Sequence, residues 1–340
     1  MRGNEKCFGT HILKLLLKLM HMKIFLLLII SALNIQLFAQ INEHDAYLKP
    51  QSNPTLDCDY CMCSLGVTPL DFSGKGIRID PRYLLIDRTV NNGNSSPSTD
   101  GHYEEHITLQ FSGIYSVSKK VSFLASVPYS VRSGRDDYSS PIVHTTGIGD
   151  IMISGRYTAM EKHIHNSTLM LAFQGGIKLP TGKSSEMQNG ELIDPHLQIG
   201  TGSTDFILGT NFLFAKNRFA LSANVLYGIK TKGRTGYRFG NDMNYDLASR
   251  YRVYQSGIGR NMIFLNAGFY GEFKERESMD DAVIDNSGGN TLYISGGIDY
   301  FLSPSVLFGL QLQKPVYYHL YGIQDGETFR VKSGVQFMFY

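Results

Sequence analysis

From Gly76 to the end, apolar and polar positions alternate along the chain in segments of about ten residues, separated by polar stretches rich in glycine, serine and asparagine. Strand side chains point alternately to opposite faces, so each such segment reads as a β-strand between two different environments. Near residue 107, Ile107, Leu109, Phe111, Tyr115 and Val117 share one face, and His106, Thr108, Gln110, Ser112 and Ser116 the other. Val121, Phe123, Ala125, Val127, Tyr129 and Val131 then oppose Ser122, Ser126, Ser130 and Arg132. The pattern returns with Leu169, Leu171 and Phe173 against Gln174 and Lys178, and with Phe206, Leu208, Phe212 and Phe214 against Asp205 and Asn211. It closes with Phe329, Val331, Val335, Phe337 and Phe339 against Arg330, Lys332 and Gln336. Less regular segments at 76–86, 148–159 and 244–255 bring the total to about twelve strands.

The connections have a parity. After odd-numbered strands, the eleventh included, they are long and polar, as in 89–101, 133–145, 181–202 and 275–290. After even-numbered strands they are short, as in Ser118-Lys119-Lys120, Ala215-Lys216-Asn217 and Ser303-Pro304-Ser305. A soluble sandwich has no reason to keep such a parity, whereas an outer-membrane barrel has short periplasmic turns and long extracellular loops. About ten residues at ~3.3 Å each, tilted by about 45°, span roughly the 25 Å apolar band. Closure would leave no sheet edge in lipid. The expected fold is therefore all-β: an antiparallel up-and-down transmembrane barrel of about twelve strands over 76–340, with both termini periplasmic.

The first forty residues carry a different pattern. A basic start, the apolar run 24–30 and the ending Leu37-Phe38-Ala39-Gln40 make a secretory signal over 1–39, cut after Ala39, with Met20 or Met22 as the expected true start. An uncleaved anchor helix is the competing reading. No later apolar run is long enough for a membrane helix. Residues 40–75 read as a short irregular periplasmic extension. The expected location is the outer membrane of a Gram-negative bacterium, and the expected partners are outer-membrane lipid, the barrel assembly machinery and a small-molecule solute. The aromatic end Phe337-Met338-Phe339-Tyr340 resembles the signal read by that machinery, although Tyr340 is out of phase with the apolar face.

Composition agrees with this picture: 35 glycines, 20 tyrosines and 20 phenylalanines suit short strands, and a net charge of +2 makes no case for nucleic acid. The face opposite the apolar one carries more charge than filling requires. Its members are Arg78, Asp80, Arg82, Asp150, Arg156, Lys178, Asp205, Asp246, Arg250, Arg252, Arg330 and Lys332. Such charges can pair across a packed interior or line a wet, weakly cationic route, and the extension or a loop can plug the lumen.

Cys58, Cys61 and Cys63 form a C-x-x-C-x-C cluster; Cys7 falls in the removed segment, which leaves an odd number. Closely spaced thiolates suit Cu(I) or Zn²⁺, whereas an oxidising periplasm favours one disulfide and a spare thiol. Asp57, Asp59 and His44 are further ligand candidates by position only. No other cofactor is expected. Lys178-Leu179-Pro180-Thr181-Gly182-Lys183-Ser184 is no phosphate loop, because Ile177 stands where its first glycine belongs. There is no G-x-S-x-G elbow, and His163 and His165 read as solvated turn residues, so no enzyme is expected.

Three stretches carry a family likeness: Gly147-Ile148-Gly149-Asp150-Ile151 running into Gly155-Arg156-Tyr157, then Gly175-Gly176-Ile177-Lys178-Leu179-Pro180-Thr181-Gly182, then Gly200-Thr201-Gly202-Ser203-Thr204-Asp205. In order and spacing the chain resembles the outer-membrane barrels named for the MetA pathway of phenol degradation, over most of 76–340. The resemblance implies a transporter of small, often aromatic, organic compounds. It places Asp150 and Asp205 in the lumen near a rim, has 180–182 turn the chain into an outer loop, and makes Asp150, Arg156, Lys178 and Asp205 lumen residues without catalytic roles. The expected function is thus an outer-membrane channel or transporter for small organic or polar solutes. The rival is a non-conducting barrel whose cysteine segment binds a soft metal or a periplasmic partner.

Overall fold

The computed structural model describes residues 75–99, 101–135, 137–256 and 261–339. The signal segment, the extension with Cys58, Cys61 and Cys63, and Tyr340 lie outside the described residues. Twelve long strands form one closed antiparallel sheet. They are β1 (Lys75–Asn91), β2 (Tyr103–Ser116), β3 (Val121–Arg135), β4 (Ile151–Ile164), β5 (Ser167–Leu179), β6 (Asp205–Lys216), β7 (Phe219–Ile229), β8 (Asp242–Gln255), β9 (Met262–Lys274), β10 (Gly289–Ser303), β11 (Val306–Leu320) and β12 (Ile323–Phe339). Each strand pairs with its sequence neighbour, and β12 returns to β1 from Lys75↔Phe339 to Asn91↔Ile323. The less regular segments are therefore strands too. No described helix is long and apolar enough to cross a membrane; the strands carry the apolar surface.

Alternation sets the two faces as expected. Phe111, Phe123, Phe173, Leu208, Phe269 and Leu312 are exposed on the outside, while Ser126, Asn211 and Asp299 are buried within. A wall of exposed large apolar side chains on a sheet with no open edge is a lipid-facing surface.

The loop parity holds with one correction. The gap expected after the eleventh strand is instead strand: β11 and β12 run on to Leu320 and Ile323 and meet through Tyr321-Gly322. The polar residues His319, Gln324, Asp325 and Glu327 sit on this hairpin because its upper part faces water and the lumen, not lipid, so it needs no apolar alternation. Pro315 falls at a register shift between β10 and β11, where the missing N–H costs no ladder bond.

A second irregularity positions the functional site. β3 pairs with β4 only through 121–126; higher up, 129–134 pairs with Val143–Ile148. Pro128 marks the change of partner, and its carbonyl accepts the Gly149 N–H at 2.8 Å. The wall of β4, β5 and β6 thus stops at the level of Ile151, Leu179 and Asp205, below the top of β3, and the loop 180–204 fills in above it.

Candidate functional site: the barrel lumen

At that step in the wall the three glycine-rich stretches meet. Asp150 Oδ1 accepts the Gly182 N–H at 2.9 Å, and Oδ2 accepts the Thr201 N–H at 2.9 Å and its hydroxyl at 2.8 Å. Thr181 donates its hydroxyl to the Gly149 carbonyl at 3.0 Å and accepts the Ile151 N–H at 2.9 Å. Lys178 reaches Asp205 at 2.6 Å and Asp150 at 3.4 Å, and Ser203 donates to Asp205 at 2.8 Å. A Cβ on Gly182 would lie 2.7 Å from the Gly200 Cα, so both positions need glycine for the two loop ends to cross. Asp150, Lys178 and Asp205 are thus gathered at the rim, where they fasten both ends of one long loop.

That loop leans inward. Arg132 donates to the carbonyls of His196, at 2.7 Å, and Gln198, and Thr145 donates to that of Leu197 at 2.6 Å. Its own Ile193, Leu197 and Ile199 are buried. His196 meets Glu277 of the β9–β10 loop at 3.2 Å and packs edge-on against Tyr237 and Phe239. Burial opposes charge on His196, but pairing with Glu277 outweighs it and holds the imidazole above its ordinary pKa. Burial likewise opposes charge on Glu277, but His196 and the Tyr237 hydroxyl hold its carboxyl below the ordinary range.

Under this roof lies a cavity of about 420 Å³ with Glu104, Asp194, Glu272, Glu277, Asp325 and Glu327 in its lining. Arg330 braces its floor, donating to Glu272 at 2.5 and 3.0 Å, to Tyr293 at 2.9 Å and to Glu327. Deeper, Arg78 pairs with Asp80 at 2.7 Å, Arg250 pairs with Asp299, and Asn224 donates to Asp246 at 2.8 Å. Arg82 and Lys332 face each other across the β1–β12 seam. Arg156 and Arg252 lie lower still, against the sulfurs of Met170 and Met262.

Below the charges, toward the short turns, the lumen changes character. Ile114, Leu124, Met170, Leu213, Ala215, Ala220, Met262, Phe264, Phe301, Leu307 and Met338 form one buried apolar cluster. They come from nine of the twelve strands, so the cluster spans the lumen and is not a patch on one wall. Phe264 and Phe301 meet edge-to-face at 5.5 Å near its centre.

Sequence reasoning missed this layer, and missed Glu104, His196, Glu272, Glu277 and Glu327. Part of the signal was present: at the short-turn ends the alternation gives way to unbroken apolar runs, such as Phe301-Leu302, Val306-Leu307-Phe308 and Phe337-Met338-Phe339. Such runs mean apolar on both faces. His163 sits beside Glu161 at 3.2 Å, and among the described residues no group of three or more potential ligands surrounds a metal-sized space.

The family described as "Putative MetA-pathway of phenol degradation" matches residues 87–317. The chain belongs to that family. Among solved structures, this MetA-pathway family barrel is similar to the COG4313 outer membrane channel from Pseudomonas putida F1, with 14% identity and a TM-score of 0.62. The alignment covers 85% of this chain and 100% of that one. It is more distantly similar to the β domain of the Bordetella autotransporter BrkA, with 11% identity and a TM-score of 0.43, over 78% of this chain and 100% of that one. At 14% identity the likeness to the channel is one of fold. No curated protein matches the sequence.

Proposed function

We propose that this barrel sits in the outer membrane of a Gram-negative bacterium and passes small organic or polar solutes toward the periplasm. The observation that carries the reading is the graded lumen: a roofed cavity of about 420 Å³, then a column of charges of which Arg78, Arg250 and Arg330 are paired with carboxylates, then an apolar layer at the periplasmic end. The cavity falls in the size range of small-molecule sites, about 300–1,000 Å³. Paired charges make a polar route that binds no ion too tightly to release it, and an apolar constriction holds back water and ions until a solute or a side-chain movement wets it. The role is passage, with the roof loop and the apolar layer as its two narrow points. The related Pseudomonas structure, described as an outer membrane channel, supports this reading.

The apolar layer also favours a second reading, a barrel that stays closed and serves as a scaffold for the cysteine segment. Planar-bilayer recording separates the two. Protein that migrates faster unboiled than boiled on a gel, and so is folded, should give discrete current steps and let small neutral solutes swell proteoliposomes. Folded protein giving neither current nor swelling would leave the scaffold.

A further inference from the structure

Resting on the reading of the barrel as a solute passage, we propose that Arg82 and Lys332 form a binding rung inside the lumen for the carboxylate of a small, singly charged organic acid. The two residues are register partners across the seam that closes the barrel, and Gln311 is the partner of Lys332 on its other side. Lys332 is 7% exposed, and its ammonium lies 4.9 Å from the centre of the Tyr270 ring.

Neither cation makes a hydrogen bond or an ion pair among the described residues, and the carboxylates around them are taken. Asp80 is held by Arg78 at 2.7 Å, Asp299 by Arg250, and Glu272 and Glu327 by Arg330. Asp246, the remaining acid facing them, is held by Asn224 at 2.8 Å and lies beyond ion-pair reach of Lys332. Two neighbouring cations shielded from bulk water repel each other and lack the partner that buried charge requires. One carboxylate meets both needs, because its two oxygens can take an arginine fork and an ammonium together.

Space and side-chain amides adjoin them. A cavity of about 30 Å³, lined by Asp246, Arg250, Gln313 and others, shares Tyr270 and Gln311 with the surroundings of Lys332. The side-chain oxygens of both glutamines are buried without a partner, so the amides can reorient toward an incoming group. That volume holds about two waters, which a carboxylate's two oxygens can displace. Charge above the rung sets the valence. The cavity nearer the outer mouth is rich in carboxylates, which repel a polyanion far more than a monoanion. The Tyr270 and Tyr293 rings, 5.6 Å apart, offer a face for the solute's apolar body, and the apolar layer below admits that body more readily than its charge.

The test is titration calorimetry of the full chain in detergent, with benzoate as probe and benzamide as its neutral isostere. Wild type should bind benzoate at least about tenfold more tightly than benzamide, and R82Q and K332Q should each weaken benzoate by about tenfold or more, as loss of one charge-assisted contact requires. K332R, which keeps the charge, should stay within about threefold of wild type. Heat-modifiable migration on a gel establishes that each variant is folded. Folded R82Q and K332Q that bind benzoate like wild type, or a wild type that binds benzoate no better than benzamide, would overturn the rung. Bilayer recordings on the same samples keep the two readings apart. Current without benzoate binding removes the rung and keeps the passage. Binding lost in both variants, without current in wild type, keeps the rung and removes the passage.

Discussion

Replacing Asp150 by alanine should release the roof loop without unmaking the barrel. The carboxylate is 6% exposed and accepts three hydrogen bonds, two from the Gly182 and Thr201 backbone and one from the Thr201 hydroxyl, with Lys178 at 3.4 Å. Hydrogen bonds to a charged group are each worth about 1.5–3 kcal/mol net. Gly182 and Thr201 are only half-buried, so water can recover part of the loss, and the lower figure applies. Three bonds at ~1.5 kcal/mol give about 4.5 kcal/mol less resistance to local opening, or somewhat more than a thousandfold at ~1.4 kcal/mol per decade. D150N retains one good acceptor and should cost about half as much, ~2 kcal/mol, or about thirtyfold. The readout is hydrogen–deuterium exchange of the Gly182 and Thr201 amides in detergent, with strand amides such as Phe173 and Phe212 as internal standards. Those strands pair over their full length on both sides and should keep their protection. Exchange at Gly182 and Thr201 that rises less than about tenfold in folded D150A would show that the loop is held by its buried apolar residues and by Arg132, and that the carboxylate is incidental.

The apolar layer should behave as a barrier: F264A/F301A should raise single-channel conductance while lowering stability, since each truncation of a buried phenylalanine costs about 3–5 kcal/mol. Unchanged current in a folded double variant would place the barrier elsewhere. The roof loop should be pH-sensitive through His196 and Glu277, with Asp194 and Glu104 also facing the imidazole. The raised histidine pKa makes its contribution full below the unfolded value of about 6.5 and lost as pH rises through the folded one, while the lowered glutamate pKa makes its share full above about 4.5 and lost in acid. Proteolysis within 183–200 should therefore be slowest between about pH 5 and 6.5 and faster at about pH 9, and E277Q should flatten that profile; a profile the same in wild type and E277Q would refute the pairing. For Cys58, Cys61 and Cys63, a soft-metal site predicts stoichiometric Cu or Zn by mass spectrometry of protein purified under reducing conditions, lost in the triple Cys→Ser variant. A disulfide predicts instead, without reductant, a mass about two daltons lower and one reactive thiol.

The period-two alternation decided most of the architecture by itself. Side chains on a strand have two directions only, so strings such as Val121-Ser122-Phe123 and Phe269-Tyr270 already state which side meets lipid and which the lumen. Loop parity then separated the short-turn end from the long-loop end, and the one misread connection, between β11 and β12, failed because a strand projecting past the apolar band sheds the lipid constraint that makes strands legible. The inward charges were legible for the same reason as the fold. Their pairing was not, because partners such as Arg250 with Asp299 and Arg330 with Glu272 stand 49 and 58 positions apart and meet only when the sheet curls round on itself. Closure put Arg82 beside Lys332, across the whole length of the barrel sequence. It turned one or two inward residues from each of nine strands into one apolar layer, although no one of them is distinctive in its own segment. It drew Asp150, Gly182 and Thr201 into one fastening, which as separate sequence stretches looked only like lumen residues and a turn. Local direction is a property of consecutive residues and can be read from them. What stands opposite what across a lumen depends on strand register and tilt summed around the circle, and no single segment records that sum.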